Sequence, residues 1–263
     1  MNIIVCIKQV PDTAEVRLDP VTGTLIREGV PVIINPDDKA GIEAALTLRE
    51  QCGGKVTVLS MGPPQADFAL REALAMGADE AILLTDRAFG GADTWATSST
   101  IAAALKKLPY DVIITGRQAI DGDTAQVGPQ IAEHLHIPQV SYAEDIAVKD
   151  GKLIVKRAFE DRCHLIEVTP PCLITALSEM NKPRYMSVAG IYDAYREKEV
   201  QQWTLADIAE NIDVAQIGLK GSPTRVKESF TKPVKSAGTL YDNISADEAV
   251  AIIVEKLAER HII

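Results

Sequence analysis

The run Thr115-Gly116-Arg117-Gln118-Ala119-Ile120-Asp121-Gly122-Asp123-Thr124-Ala125-Gln126-Val127-Gly128-Pro129 holds the residues best suited to chemistry in this chain. It follows a short apolar run, Val112–Thr115, and precedes a helical pattern at Gln130–Leu135. A helix N-terminus presents free N–H groups and the positive end of the helix dipole, which suits a phosphate. Pro129 is tolerated only in a first helical turn. The helix is therefore expected to start near Gly128, or slightly earlier with Asp123 as its cap. Either start aims the amides of Asp123–Val127 at an anion, with Thr124 and Gln126 adding side-chain donors. The alternative is a plain helix start that binds nothing.

Other chemistries are poorly served. No G-x-G-x-x-G follows a strand, and no G-x-x-x-x-G-K-[ST] occurs. No H-E-x-x-H or paired-cysteine motif suggests a metal. His134 and His136 are two apart and point apart on a helix. Cys163 and His164 are neighbours in an extended segment and face opposite sides. No Ser/His/Asp constellation stands out, so covalent and hydrolytic catalysis are not expected.

Short apolar runs at Ile3–Ile7, Val56–Ser60, Ala81–Leu84, Val112–Thr115 and Cys172–Thr175 are rich in Val and Ile. Such runs suit strands buried on both faces of a parallel sheet. Between them lie helical patterns. Asp37–Arg49 places Ala40, Ile42, Ala44, Ala45 and Leu48 near one stripe before Gly53-Gly54. Gln65–Met76 closes at Gly77, and Thr94–Leu108 ends before Pro109. This rhythm predicts an α/β fold with a doubly wound, mostly parallel sheet. Val16–Ile26 alternates around a turn and predicts an inserted hairpin. Leu153–Val168 predicts an antiparallel edge that turns near Asp161-Arg162. Loops at Asn35-Pro36-Asp37-Asp38, Ser60–Pro64 and Asp93–Thr97 then gather with Cys6 at the carboxyl edge of the sheet, where ligands bind.

The pattern implies a nucleotide-binding α/β domain over residues 1–186. Residues 187–243 carry few long periodic segments and include Gly218–Pro223 and Lys232-Pro233. Disorder is one reading of them. Trp203, Leu205, Ile208, Ile212, Val214 and Ile217 want a surface to cover, which favours an extended arm that wraps a partner. Ser245–Arg260 predicts a last helix, with Ser245 and Glu248 as a capping box, so 244–263 forms a C-terminal helix.

The 263 residues carry a net charge of −10, which argues against nucleic-acid binding. No apolar run approaches the ~20 residues of a membrane helix, and the N-terminus reads as a strand rather than a signal peptide. Cys6, Cys52, Cys163 and Cys172 are read as reduced thiols of a cytoplasmic protein.

Several segments resemble the β subunits of electron-transferring flavoproteins. The run Gly116–Gln126, GRQAIDGDTAQ, is similar to their adenine-nucleotide loop. Ala73–Asp79 after the SMGPP loop, Asn181–Tyr185 and Gly218–Thr224 resemble further family segments, in the family's order. Arg157, Glu160, Asp161, Pro171 and Cys172–Thr175 look familiar, whereas Arg162-Cys163-His164-Leu165 departs from the family signature. The resemblance implies a Rossmann-like fold of the adenine nucleotide alpha hydrolase type, without hydrolysis. It implies an obligate complex with an α subunit that binds FAD, embraced by the C-terminal arm.

Carried over residue by residue, nucleotide contacts fall at Cys6, at Asn35, Pro36, Asp37 and Asp38, and at Met61. They continue through Asp121, Gly122, Asp123, Thr124, Ala125, Gln126, Val127, Gly128 and Gln130 to Ala132. The strand-end reading adds Gly62, Thr94 and Thr97.

Conventional members hold AMP at this site and pass electrons from acyl-CoA dehydrogenases to a membrane quinone oxidoreductase. Electron-bifurcating members hold a second FAD there and oxidise NADH. One electron then goes to ferredoxin or flavodoxin, the other through the α-subunit FAD to an acyl-CoA dehydrogenase. Lys8–Thr13 and Ser60–Pro64 resemble the bifurcating group, and Ala194–Lys198 lacks the lysine-rich run of conventional members. The bifurcating type is therefore expected, with the AMP type as the alternative. A stand-alone ATP-binding stress-type protein on the same fold would not need the arm.

Overall fold

The computed structural model describes residues 1–12, 31–228 and 237–263. The hairpin expected at Val16–Ile26 and the turn at Lys232-Pro233 lie outside the described residues. The chain divides into two units, Met1–Val226 and Lys227–Ile263.

In chain order the first unit runs β1 (Asn2–Cys6), β2 (Gln9–Pro11), β3 (Val32–Ile34), α1 (Pro36–Cys52), β4 (Lys55–Met61), α2 (Asp67–Met76), β5 (Glu80–Leu84) and α3 (Thr94–Leu105). It continues with β6 (Val112–Gly116), α4 (Val127–Leu135), β7 (Gln139–Lys149), β8 (Lys152–Ala158), β9 (Cys163–Val168) and β10 (Cys172–Ala176). Then follow α5 (Val188–Arg196), β11 (Val200–Trp203), α6 (Leu205–Ile208) and α7 (Gly218–Gly221). Nine strands form one sheet in the order β11-β5-β4-β1-β6-β10-β7-β8-β9. Pairings from β11 to β7 are parallel; β7–β8 and β8–β9 are antiparallel. The predicted mixed sheet with an antiparallel edge is present.

The central strands are apolar throughout because both faces are covered. Ile3 and Val5 of β1 join a core with Ile42 and Leu46 of α1 and with Leu70 and Leu74 of α2. Ile4 and Cys6 turn to the other face and pack with Ile101 and Leu105 of α3 and Ile131 of α4. This is the period of two expected of a strand. Each fully buried Ile or Leu contributes roughly 1.5–3 kcal/mol.

Sheet order fixes where a ligand belongs. From β1 the chain steps outward to β4 and β5, then crosses back over α3 to β6 on the other side of β1. The gap between the carboxyl ends of β1 and β6 is therefore the topological switch point.

Two elements depart from the sequence reading. Gln139–Lys149 forms an 11-residue strand where no element is expected. Residues 187–226, assigned from sequence to the arm, instead group with the α/β unit. β11 adds a parallel strand to β5, from Val200 opposite Ala81 to Trp203 opposite Leu84. Ile208 and Ile217 are buried, and Trp203, Leu205 and Ile212 pack against the α3 side of the core. The apolar residues of this stretch cover their own domain because β5 would otherwise present an open edge.

In the second unit α8 (Ala246–Glu259) carries the expected capping box. Ser245 accepts from the Glu248 amide, and Glu248 accepts from the Ser245 amide. Its apolar residues Val250, Ile253 and Val254 are exposed.

Candidate ligand crevice at the switch point

The floor of the crevice is built by the N-terminus of α1. Pro36 opens the helix, which places Asn35, Asp37 and Asp38 against the ends of three strands. Asp38 Oδ2 accepts from Lys8 N at 2.7 Å, and Asp38 Oδ1 accepts from Gly116 N at 2.9 Å. Asp37 Oδ1 accepts from Ser178 N at 3.0 Å, just past β10. Its Oδ2 lies 3.4 Å from Arg117 Nε, close enough for an ion pair but not aligned as a hydrogen bond. Asn35 Nδ2 donates to Gln118 O at 2.8 Å, and its Oδ1 accepts from Ile120 N at 3.1 Å.

All three side chains are buried. Their polar atoms are largely committed to the chain itself, so they shape the loop that follows β6. The approach is close: a Cβ at Gly116 would lie 2.2 Å from Asp38 Oδ1.

Burial raises the Asp38 carboxyl to about 7, against the lowering hydrogen bonds from Lys8, Asn35 and Gly116. Burial, with the nearby Asp38 charge, pushes the Cys6 thiol up to about 12. Cys6 packs at the end of β1 on the α3 side of the core.

The loop from Arg117 to Gln126 forms the upper wall. Asp123 and Ala125 adopt left-handed backbone, at φ 53 each. The Gly122 and Asp123 amides both bond to Ala119 O. α4 begins at Val127 with Gln126 at its N-cap, and no side chain caps it. Asp123 is not the cap; it accepts from Gln118 Nε2 instead. Among the described residues no hydrogen bond engages the amides of Thr124, Ala125, Gln126, Val127 or Gly128. Those of Gln126, Val127 and Gly128 are the orphan donors of a helix start, those of Thr124 and Ala125 belong to the loop before it, and together they suit an anion. Gly128 lets α4 sit close to the sheet, since a Cβ there would lie 2.6 Å from Thr115 Oγ1.

Thr94 Oγ1 donates to Gln126 Oε1 at 2.9 Å, joining the start of α3 to the loop. Lower on the same helices Ser98 Oγ donates to Gln130 Oε1 at 3.3 Å. Thr97 lies half-buried in the first turn of α3. Met61 ends β4 beside β1, Gly62 follows it, and Gly62 N bonds back to Leu84 O. No polar contact ties Met61, Gly62 or Thr97 to the loop in the described residues.

Two polar groups were missed by the sequence reading of the site. Lys8 Nζ bonds Asp121 Oδ1 at 2.6 Å and Oδ2 at 2.8 Å across the crevice. Its position two residues beyond Cys6, at the end of the first strand, was the available signal. Ser60 Oγ is buried near the end of β4 without a partner among the described residues; the sequence placed Ser60 in the strand-end loop Ser60–Pro64 without giving its hydroxyl a role.

No group of three or more metal-ligating side chains occurs among the described residues. No described helix is long and apolar enough to cross a membrane. A concavity of about 390 Å³ lies away from the crevice, between the end of α2 and α5, and is lined by Met76, Arg184, Tyr185 and Gly190 among others.

Sheet order and crevice together define a doubly wound α/β protein with an uncapped helix start at its switch point. Residues 22–208 match the electron transfer flavoprotein domain. The chain is 63% identical to the electron transfer flavoprotein subunit beta of Clostridium acetobutylicum, over 100% of both chains. It is 56% identical to the caffeyl-CoA reductase-Etf complex subunit CarD of Acetobacterium woodii, again over 100% of both. It is 48% identical to the acryloyl-CoA reductase electron transfer subunit gamma of Anaerotignum propionicum, over 100% of both. The chain belongs to the electron transfer flavoprotein family, among its β subunits.

Proposed function

We propose that this chain is the β subunit of a heterodimeric electron transfer flavoprotein that binds FAD at the switch-point crevice. In this reading it oxidises NADH. One electron passes to ferredoxin or flavodoxin, and the other through the FAD of the α subunit to an acyl-CoA dehydrogenase.

The observation that carries the reading is the uncapped start of α4. Five amides, Thr124 to Gly128, lie without partners among the described residues, beside glycine-permitted close approaches at Gly116 and Gly128. This donor set fits the phosphates of a dinucleotide. Thr124, exposed in the same loop, adds a hydroxyl donor. Gln126 is held toward α3 by Thr94. Asn35 and Asp38 fix the loop from below without using the amides above. A bound flavin would supply the redox chemistry, while the protein supplies placement and local charge.

Full-length likeness to subunits named for caffeyl-CoA and acryloyl-CoA reductases supports an acyl-CoA enzyme as electron partner. The exposed apolar face of α8, with Val250, Ile253 and Val254, supports an α subunit bound by the C-terminal segment.

The test is NADH-driven reduction of ferredoxin or flavodoxin by the purified heterodimer, with the acyl-CoA dehydrogenase and its enoyl-CoA present. Reduction that requires both NADH and the enoyl-CoA supports the reading. No reduction beside intact electron transfer from an acyl-CoA dehydrogenase favours a conventional subunit that holds AMP.

A further inference from the structure

We infer that Lys8 is a positioning residue of the crevice: its ammonium clasps Asp121 and cancels that carboxylate's charge, so that the loop can accept an anionic nucleotide. The inference rests on the nucleotide reading above and goes beyond it by naming a residue and a role that the reading does not contain.

The loop presents a problem of charge. The amides of Thr124 to Gly128 invite a phosphate, yet Asp121 and Asp123 sit in the same loop. Two carboxylates beside a phosphate would oppose binding. Each is answered by a different device. Asp123 accepts from Gln118 Nε2 within the loop. Asp121 is answered from outside, by Lys8 at 2.6 and 2.8 Å, 113 residues away in sequence.

The backbone of Lys8 is well placed for this work. Its N–H is held by Asp38 at 2.7 Å, and its carbonyl accepts from Asn35 N at 2.9 Å. The same Asp38 holds Gly116, and the same Asn35 holds Gln118 and Ile120. The two strand ends are thus locked together below, and the ion pair closes them above. The Lys8 side chain is 45% exposed and that of Asp121 is 14% exposed. The residue Asp121 is exposed as a whole, but its side chain is the more covered of the two and lies under the lysine.

A direct Lys8–phosphate contact is the competing arrangement, and a double-mutant cycle separates the two. The complex of the full chain with its α subunit is prepared as wild type, Lys8→Gln, Asp121→Asn, the double variant and Lys8→Arg. AMP is the probe, added to complex from which the nucleotide of this crevice has been removed, because it reports on this site rather than on the α-subunit flavin. Its dissociation constant is measured at low and high salt.

Lys8→Gln is expected to weaken AMP roughly tenfold, the scale of one uncancelled charge several ångströms away near a surface. The loss is expected to shrink as salt rises. Asp121→Asn in the Lys8→Gln background is expected to restore most of the affinity, and Lys8→Arg to keep it. A double variant as weak as Lys8→Gln overturns the clasp, since Lys8 would then act on the nucleotide directly. Unchanged AMP affinity in Lys8→Gln also overturns it. A wild-type complex that binds neither AMP nor FAD at this chain overturns the crevice reading itself, and the clasp with it.

Discussion

Asp38 and Gly116 meet at the switch point with the carboxylate Oδ1 2.9 Å from the glycine amide, and no side chain larger than hydrogen fits between them. Asp38 thereby joins α1 to β6, and through Lys8 N it joins both to β1. Asp38→Ala would leave the buried Gly116 amide and the part-buried Lys8 amide without acceptors. Each such loss costs about 1–3 kcal/mol, so urea unfolding should show a drop of at least ~2 kcal/mol. Gly116→Ala should be destabilising by a similar amount through overpacking against Asp38. Unchanged midpoints in both variants would refute the clamp.

The same carboxyl has a pH signature. Burial raises it to about 7 in the folded chain, whereas an unfolded Asp titrates near 3.9. Between about 4 and 7 the folded state therefore holds more protons at this site, and its contribution to stability falls as pH rises. Asp93 works the other way. Bonds from Ala96 and Thr224 outweigh its burial and lower its carboxyl, so its contribution is lost only as pH falls below the usual carboxylate range. Melting temperatures of wild type and Asp38→Asn, followed from pH 4.5 to 8, should differ in slope. The wild type should lose more stability on the way to neutrality.

Gly128 tests the anion cradle and its seat on the sheet together. A methyl there meets Thr115 Oγ1 at 2.6 Å and Thr175 Cγ2 at 2.9 Å, so Gly128→Ala should lift the first turn of α4 off the sheet. The unpartnered amides move with it. AMP affinity measured by calorimetric titration should fall about tenfold or more, with a stability loss of about 1–3 kcal/mol. Lost stability with full affinity would place the phosphate elsewhere.

The stretch after α5 offers a contrast of two apolar residues. Ile208 is fully buried against the α3 side of the core, while Val214 is 57% exposed. Ile208→Ala should cost about 2–5 kcal/mol, and Val214→Ala less than about 0.5 kcal/mol in the isolated chain. Equal small effects would mean that this stretch does not fold onto the α/β unit.

These residues also mark how far the sequence could be read. β1, β4, β5, β6 and β10 were legible because burial on both faces leaves a continuous apolar run that few other structures produce. β7 was not, since Gln139–Lys149 mixes buried Val140 and Ala143 with exposed polar residues and carries no turn to announce it. β11 is four residues, Val-Gln-Gln-Trp, and becomes a strand through the open edge of β5 rather than by its own propensity. At the site, the helix start after Gly116 could be placed to within a residue or two from Pro129. The work of Asn35 and Asp38 could not be. Composition shows that polar atoms stand at a strand end, but not that three backbone segments have already claimed them. Lys8 was read only as part of the run Lys8–Thr13, and its ion pair could not be foreseen for the same reason, because the partner is 113 residues distant.

The central claim is that the crevice holds a flavin, and the most direct measurement is a count of FAD and AMP released from the purified heterodimer after denaturation. Two FAD per heterodimer and no AMP is the result expected. One FAD with one AMP would contradict a redox role for this chain, and a complex with no nucleotide beyond the α-subunit flavin would contradict the site.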